Sequence, residues 1–252
     1  EAVDVDDQGL PPEKLADDIN VIFTTPSHHC PTAATMPLSR RKRLLAKAQE
    51  LDAIIVEDDY EFEMSFLEPA LPALKSLDND GRVIYVGSFS KSLFPGMRLG
   101  YLVGPAPFIK EARALRASVF RHPPGHIQRT AAYFLSLGHY DALIKRMSKQ
   151  YEERYLEMEK SLTKFDLTIA GKAQHGGSSF WVETPNRTNA VKLAQKLLEM
   201  DVVIEPGDPF FVGENHPKNF IRLAYSSIST NKIAAGVELI AKAISDTGPI
   251  TA

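Results

Sequence analysis

Short apolar runs rich in β-branched residues alternate, along the first hundred residues, with stretches that carry apolar residues at helical spacing. Strands are predicted at 21–25, 53–57, 82–87 and 99–103, and a helix is predicted from Ser39, as its N-cap, to about Leu51. This alternation is typical of an α/β fold with a mostly parallel sheet. All but the last of these strands end in polar residues, and ligands bind at the carboxyl ends of strands in open α/β sheets.

The second half of the chain is more helical. A helical region from about Phe108 is interrupted by Pro-Pro-Gly at 123–125, and a long helix is predicted over 140–162, where apolar residues recur every three or four positions. Further strands are predicted at 178–182, 202–204 and 220–225, with helices at 189–200 and from Asn231. The pattern predicts a large domain over 1–138 and a smaller α+β domain over 139–252.

Composition narrows the classes of function. The 252 residues include 44% hydrophobic residues, which is enough for a sizeable core, and the net charge of −3 disfavours a surface that grips nucleic acid. Cys30 is the only cysteine, which excludes an intrachain disulfide and favours a reducing compartment. Since no signal peptide and no apolar run of about 20 residues is present, we expect a cytoplasmic protein without a membrane partner.

Two polar motifs follow predicted strands. The first, Glu57-Asp-Asp-Tyr60, is by itself most simply a solvated acidic turn. A divalent cation on Asp58, Asp59, Glu61 and Glu63 would need further ligands, which the sequence does not supply at a recognisable spacing. The second motif, Ser88-Phe-Ser-Lys91, has the Ser-x-x-Lys spacing of penicillin-binding enzymes but lacks their Lys-Thr-Gly.

The second motif has another interpretation. Ser88, Ser90 and Arg98 together offer two hydroxyls and a guanidinium, which suit a phosphate monoester. The amine of Lys91 suits Schiff-base formation with an aldehyde. Lys91 lies one strand-connection-strand unit after Asp58, so both are expected at the same edge of the sheet.

Taken together, these motifs resemble a known family, the fold-type I pyridoxal-phosphate aminotransferases. More narrowly, the chain is similar to the aminotransferase-like domain of the MocR/GabR transcriptional regulators of the GntR family. The resembling segments are Thr25-Pro-Ser-His-His-Cys-Pro-Thr32, Ser39-Arg-Arg41, Glu57-Asp-Asp-Tyr60, Gly81-Arg-Val-Ile-Tyr85, Gly87-Ser-Phe-Ser-Lys-Ser-Leu-Phe-Pro-Gly-Met-Arg98 and Phe220-Ile-Arg-Leu223. They extend over essentially the whole chain.

The resemblance implies a role for each candidate residue. Lys91 would form the internal aldimine with pyridoxal 5'-phosphate, Asp58 would pair with the pyridine nitrogen, and Tyr60 would donate to the phenolic oxygen of the ring. The phosphate would be held by Ser88, Ser90 and Arg98. His28 would lie near the cofactor ring. Arg222 would bind the acid group of an incoming amino compound. Without the resemblance, an arginine at a strand edge that faces water is an equally good interpretation of Arg222.

Several positions depart from ordinary aminotransferases. Cys30 stands where those enzymes carry Asn, and Ala33 replaces a glycine of the following turn. A metal on His28, His29 and Cys30 is disfavoured because consecutive residues do not converge on one point. The basic run Arg40-Arg-Lys-Arg43 is predicted to be a solvated helix face or a subunit contact rather than a DNA contact.

The leading hypothesis is an effector-sensing domain in which an amino compound with an acidic group displaces Lys91 to form an external aldimine. The resemblance further implies a homodimer, and DNA binding through an N-terminal winged helix-turn-helix that this chain lacks. The large domain is expected to be incomplete at its N-terminus, so cofactor binding by residues 1–252 is expected to be weak. The alternatives are a genuine aminotransferase of classes I and II and a scaffold without cofactor chemistry.

Overall fold

The computed structural model describes residues 1–246, which form two four-stranded sheets with helices packed on them. Within those residues the strands are β1 (Val21–Thr24), β2 (Ile54–Asp59), β3 (Val83–Ser88), β4 (Gly100–Val103), β5 (Thr168–Ile169), β6 (Ser179–Glu183), β7 (Glu205–Pro206) and β8 (Phe220–Ala224). The α-helices are α1 (Leu38–Glu50), α2 (Leu74–Leu77), α3 (Ala106–Val119), α4 (Gly125–Ser136), α5 (His139–Lys164), α6 (Ala190–Leu198) and α7 (Thr230–Ser245). No helix among them is long and apolar enough to cross a membrane.

The first sheet has the strand order β1-β2-β3-β4. Its first three strands are parallel, and β4 runs antiparallel to β3. The core of this half lies between the sheet and α1, where Leu44 and Ala48 pack with Ile22, Ile55 and Val83. The predicted α/β class with a mostly parallel sheet is confirmed.

The second sheet is antiparallel throughout and has the order β5-β6-β8-β7. One apolar cluster joins it to α5 and α7 through Tyr155, Leu162, Phe180 and Val237. The long helix predicted over 140–162 is thus confirmed as α5, and its apolar stripe faces this cluster. The domain boundary between residues 138 and 139 stays a prediction.

Two local predictions are wrong. Ser39 is not the N-cap of α1, because the helix begins at Leu38 and its first turn closes on the carbonyl of Pro37, which accepts from the backbone N–H groups of Arg40 and Arg41. Residues 202–204, predicted as a strand, form no strand and lie between the turn that ends α6 and β7. In this segment only Glu205–Pro206 pairs with β8.

The prediction of a solvated basic face is also wrong for half of the run Arg40–Arg43. Arg40 is buried and pairs with Asp6. Arg41 is fully buried and donates to the carbonyl oxygens of Met36, Pro72 and Pro26 at 2.9–3.0 Å. Guanidinium groups satisfy several carbonyls at once, so these two arginines fasten loops to α1 while Lys42 and Arg43 stay exposed.

Candidate functional site

The carboxyl ends of β2 and β3 bring the two sequence motifs together. The strands are adjacent and parallel, with Asp58 in register with Val86, so both chains leave the sheet at one edge. Lys91 lies three residues beyond the end of β3, and Glu61 lies two residues beyond the end of β2. The predicted common edge for Asp58 and Lys91 therefore agrees with the strand pairing.

Lys91 lies beside Glu61, for which the sequence suggested only a role as a metal ligand. Its Nζ is 3.6 Å from Oε1 of Glu61, whose side chain is only 3% exposed. The hydroxyl of Ser178 donates to the same carboxylate oxygen at 2.5 Å. Because Ser178 directly precedes β6, this carboxylate links the lysine to the second sheet. No local pattern marked Glu61, since its partners are distant in sequence.

The two aspartates of the first motif lie on opposite faces of β2. Asp58 is exposed, has no ion-pair partner within residues 1–246, and partial burial raises its pKa. Asp59 is buried, its Oδ1 has no hydrogen-bond partner in that range, and burial raises its pKa to about 6. Asp58 is thus the carboxylate available to a ligand at this edge. No group of three or more possible metal ligands is found in the described chain.

Tyr60 and Cys30 form the next part of the site. The Tyr60 hydroxyl donates to the backbone carbonyl of His28 at 3.2 Å, and Cys30 is half-buried close to it in the chain fold. Burial raises the pKa of the Tyr60 hydroxyl well above its ordinary value, and nearby Glu61 adds to the shift. Tyr60 is consequently a neutral hydrogen-bond donor.

His28 is buried behind this edge. Its Nε2 lies 3.2 Å from the hydroxyl of Ser65, while its Nδ1 is buried without a hydrogen-bond partner in the described chain. Burial lowers the pKa of His28 to about 4, with smaller contributions from His175 and Arg41, so the ring is neutral near pH 7. Its predicted place near a cofactor ring stays a prediction.

The predicted phosphate ligands lie on the loop between β3 and β4. Ser88 ends β3, and its hydroxyl accepts the backbone N–H of Ser90 at 3.1 Å. Arg98 adopts a left-handed conformation with φ 48°, and its exposed side chain has no ion-pair partner in residues 1–246. The guanidinium of Arg98, which has no ion-pair partner in that range, keeps the donors that an anion requires.

Arg222 reaches the site from the second sheet. It lies on β8 between Trp181 of β6 and Glu205 of β7, and its Nη1 donates to Oε2 of Glu205 at 2.8 Å. Burial lowers the pKa of Arg222, but the bond to Glu205 and the charges of Cys30 and Glu61 outweigh it, so the pKa is raised. Arg222 thus lies within electrostatic range of Glu61, the carboxylate beside Lys91.

Comparison with known proteins identifies the family. A family model described as aminotransferase class I and II matches residues 6–240. The chain belongs to this family. Its residues match the HTH-type transcriptional regulator TauR of Rhodobacter capsulatus with 56% identity over 243 residues, which is 96% of this chain and 50% of TauR.

Other relatives in the family are more distant. The 2-aminoadipate transaminase of Thermus thermophilus is 31% identical, covering 88% of this chain and 57% of the enzyme. The HTH-type regulator YisV of Bacillus subtilis is 29% identical, covering 88% of the chain and 46% of the regulator. The chain therefore spans about half the length of the curated relatives it matches.

Solved structures of aminotransferases share the fold. A kynurenine aminotransferase from Pyrococcus horikoshii has a TM-score of 0.88 at 30% identity, covering 96% of this chain and 62% of the enzyme. An archaeal alanine:glyoxylate aminotransferase has a TM-score of 0.90 at 28% identity, covering 98% of the chain and 64% of the enzyme. The fold-type I assignment is confirmed by these similarities.

The donor set of the site fits pyridoxal phosphate, the cofactor implied by the fold. A partly exposed lysine amine, an unpaired carboxylate at Asp58 and an unpaired guanidinium at Arg98 lie around the carboxyl ends of β2 and β3. These three groups match an aldehyde, a protonated pyridine nitrogen and a phosphate respectively. Each of them is left free by the rest of the described chain to contact a ligand, apart from the contact of Lys91 with Glu61.

Proposed function

We propose that the chain is the effector-binding, aminotransferase-like domain of a MocR/GabR-type transcriptional regulator. The observation that carries the proposal is its 56% identity to the regulator TauR, compared with 31% to the 2-aminoadipate transaminase. Family membership alone does not separate the two functions, because regulators and enzymes both match the same aminotransferase family. The difference in identity is what favours a sensor over an enzyme.

Pyridoxal phosphate, when bound, supplies an aldehyde and a protonated ring that withdraws electrons. Lys91 would hold it through the amine, Asp58 would keep the ring nitrogen protonated, and Ser88, Ser90 and Arg98 would hold the phosphate. Tyr60 would donate to the phenolic oxygen, with His28 behind the ring. Since Asp58 and Arg98 are exposed, we expect residues 1–252 by themselves to bind the cofactor weakly.

The signal would be an amino compound that takes the place of the Lys91 amine while its acidic group binds Arg222. Glu61 can receive the released amine, because its carboxylate already lies 3.6 Å from Nζ. The output would be a change in DNA binding through an N-terminal winged helix-turn-helix outside this chain. The regulator would work as a cytoplasmic homodimer. The names of the helix-turn-helix relatives support the DNA-binding part of this proposal.

A genuine aminotransferase is the second candidate, favoured by the close structural match to two such enzymes. In that case Lys91 would also move the α-proton of the substrate, which requires a free amine after substrate binding. Repeated turnover of an amino donor with a keto-acid acceptor by the full-length protein would contradict the sensor. Binding of the amino compound without turnover, together with a changed affinity of the full-length protein for operator DNA, supports the sensor.

The lysine has its own test in the full-length protein. With pyridoxal phosphate added, we expect a visible absorption band in the wild type that Lys91→Ala abolishes. Lys110→Ala is the matched control, because Lys110 is an exposed lysine on α3, away from the site. A wild-type protein that shows no spectral change would leave only the third possibility, a scaffold without cofactor chemistry. A Lys91→Ala protein that keeps the band would refute the role of the lysine.

A further inference from the structure

The guanidinium of Arg222 is already partly occupied in the folded chain. Glu205 is its direct cross-strand partner, and the bond from Nη1 to Oε2 measures 2.8 Å. This arginine is the group to which the proposed function assigns the acidic end of the effector. A ligand that arrives at Arg222 therefore meets a carboxylate that belongs to the protein.

The accessibility of the three side-chain nitrogens of Arg222 decides which hydrogen bonds a ligand can form with it. The Nε of Arg222 is buried and has no hydrogen-bond partner in residues 1–246, while 15% of the whole side chain is exposed. The exposed part is consequently the Nη end. A carboxylate or sulfonate that binds this end with two hydrogen bonds needs both Nη atoms, and Glu205 holds one of them.

Glu205 is free to leave. Its side chain is 49% exposed and lies on β7, a two-residue strand at the edge of the second sheet. An exposed carboxylate regains water when it swings away, so the cost of releasing Arg222 is small. Arg222 stays within electrostatic range of the negative charge of Glu61 in either case.

We propose that Glu205 is a specificity-determining residue that competes with the effector's acidic group for Arg222. In the empty site it neutralises the arginine. An anion that makes only one contact with the Nη end does not replace it, whereas a group that binds both Nη atoms does. The competition would raise the effector concentration needed for a response. This inference rests on the proposed function, because it assumes that Arg222 binds the ligand's acidic group.

The test uses simple anions as probes, since the effector is not identified. Propionate and methanesulfonate are titrated into the full chain, with propionamide as the neutral control, while the ¹⁵N signals of the arginine side chains are followed. Arg222→Gln identifies the signal of Arg222 and removes the proposed site. Glu205→Gln removes the competitor, and Glu238→Gln, at an exposed position on α7, is the control that changes the net charge equally.

We expect Glu205→Gln to tighten the binding of both anions about two- to fivefold, the range that a partly exposed ion pair supports. Glu238→Gln and propionamide should show no such gain. An affinity that Glu205→Gln leaves unchanged or weakens, in a site that Arg222→Gln abolishes, would overturn the competition while leaving the proposed function standing. Absence of anion binding at Arg222 in both wild type and Glu205→Gln would overturn the competition and the assigned role of Arg222 together.

Discussion

At the scale of single residues, neighbours of the same chemical type have different tasks. In Glu57-Asp-Asp, the buried carboxylate of Glu57 accepts the backbone N–H groups of Leu74 and Lys75 at 2.7 and 2.8 Å and so caps α2. Asp58, one residue later, points to the opposite face and stays available for a ligand. The strand period of two separates the buried carboxylate of Glu57 from the exposed carboxylate of Asp58.

A buried histidine makes stability depend on pH. The pKa of His28 is about 4 in the folded chain against an ordinary value of 6.5, so only the unfolded chain gains a proton on mild acidification. The contribution of the neutral His28 to the free energy of unfolding is present above about pH 6.5 and is lost as the pH falls towards 4. Between pH 7 and pH 5 this loss is about 2 kcal/mol in the free energy of unfolding.

His28→Gln should reduce the difference in stability between pH 7 and pH 5 by about this amount, measured by urea unfolding at both values. The control is His126→Gln, which changes an exposed histidine on α4 and should keep the wild-type difference. An unchanged difference in His28→Gln would show that other groups carry the acid sensitivity.

At the scale of elements, helix ends show how the chain forms its turns without glycine. After α5, the N–H of Leu167 donates to the carbonyl of Leu162, and the N–H of Asp166 donates to that of Thr163. This is the Schellman pattern, which places Asp166 in the left-handed region with φ 54°. The end of α6 repeats the pattern, with Asp201 at φ 58°.

Asp166→Gly should stabilise the protein by about 0.5–1 kcal/mol. Glycine adopts the left-handed conformation without strain, and the change removes a negative charge from the negative end of the helix dipole. Thermal and urea unfolding measure the gain. Asp166→Ala separates the two causes, because it removes the charge but keeps the strain. A glycine variant no more stable than the alanine variant would mean that the left-handed conformation costs little here.

At the scale of the whole molecule, the first sheet has two open edges. Both β1 and β4 are end strands, and they expose Val21 and Phe23 on one side and Leu102 and Val103 on the other. Open apolar edge strands pair with other strands and promote association. The described residues thus present a sheet that can be extended at either end.

The chain of residues 1–252 is accordingly expected to self-associate as its concentration rises. Phe23→Lys should shift sedimentation velocity profiles towards the monomer, since a charge on an edge strand opposes pairing. Val203→Lys, at an 82% exposed position outside the strands, is the matched control. Equal effects of the two changes would indicate that general solubility, rather than the β1 edge, controls association.

How far the sequence could be interpreted depended on the range of the interactions involved. The strand-helix order and the pairing of the Asp58 and Lys91 motifs at one edge follow from local periodicity and from the rules of parallel sheets. The burial of Arg40 and Arg41 does not follow from local periodicity, because their hydrogen-bond partners lie 5 to 34 residues away in the sequence. The prediction of Ser39 as the N-cap of α1 is wrong because the position at which the chain enters the helix decides between Ser39 and Pro37.

By itself, the sequence determined the fold class, because the alternation of strands and helices is a local pattern. The motifs that resemble the family predict which residues would contact a phosphate, a pyridine ring and an aldehyde. Only the tertiary structure decided that Glu61 lies 3.6 Å from Lys91 and accepts a hydrogen bond from Ser178, 117 residues away, and that Glu205 pairs with Arg222. Such contacts depend on how the two sheets pack and on strand register. Packing brings together charged residues whose pairing cannot be predicted from their spacing along the chain.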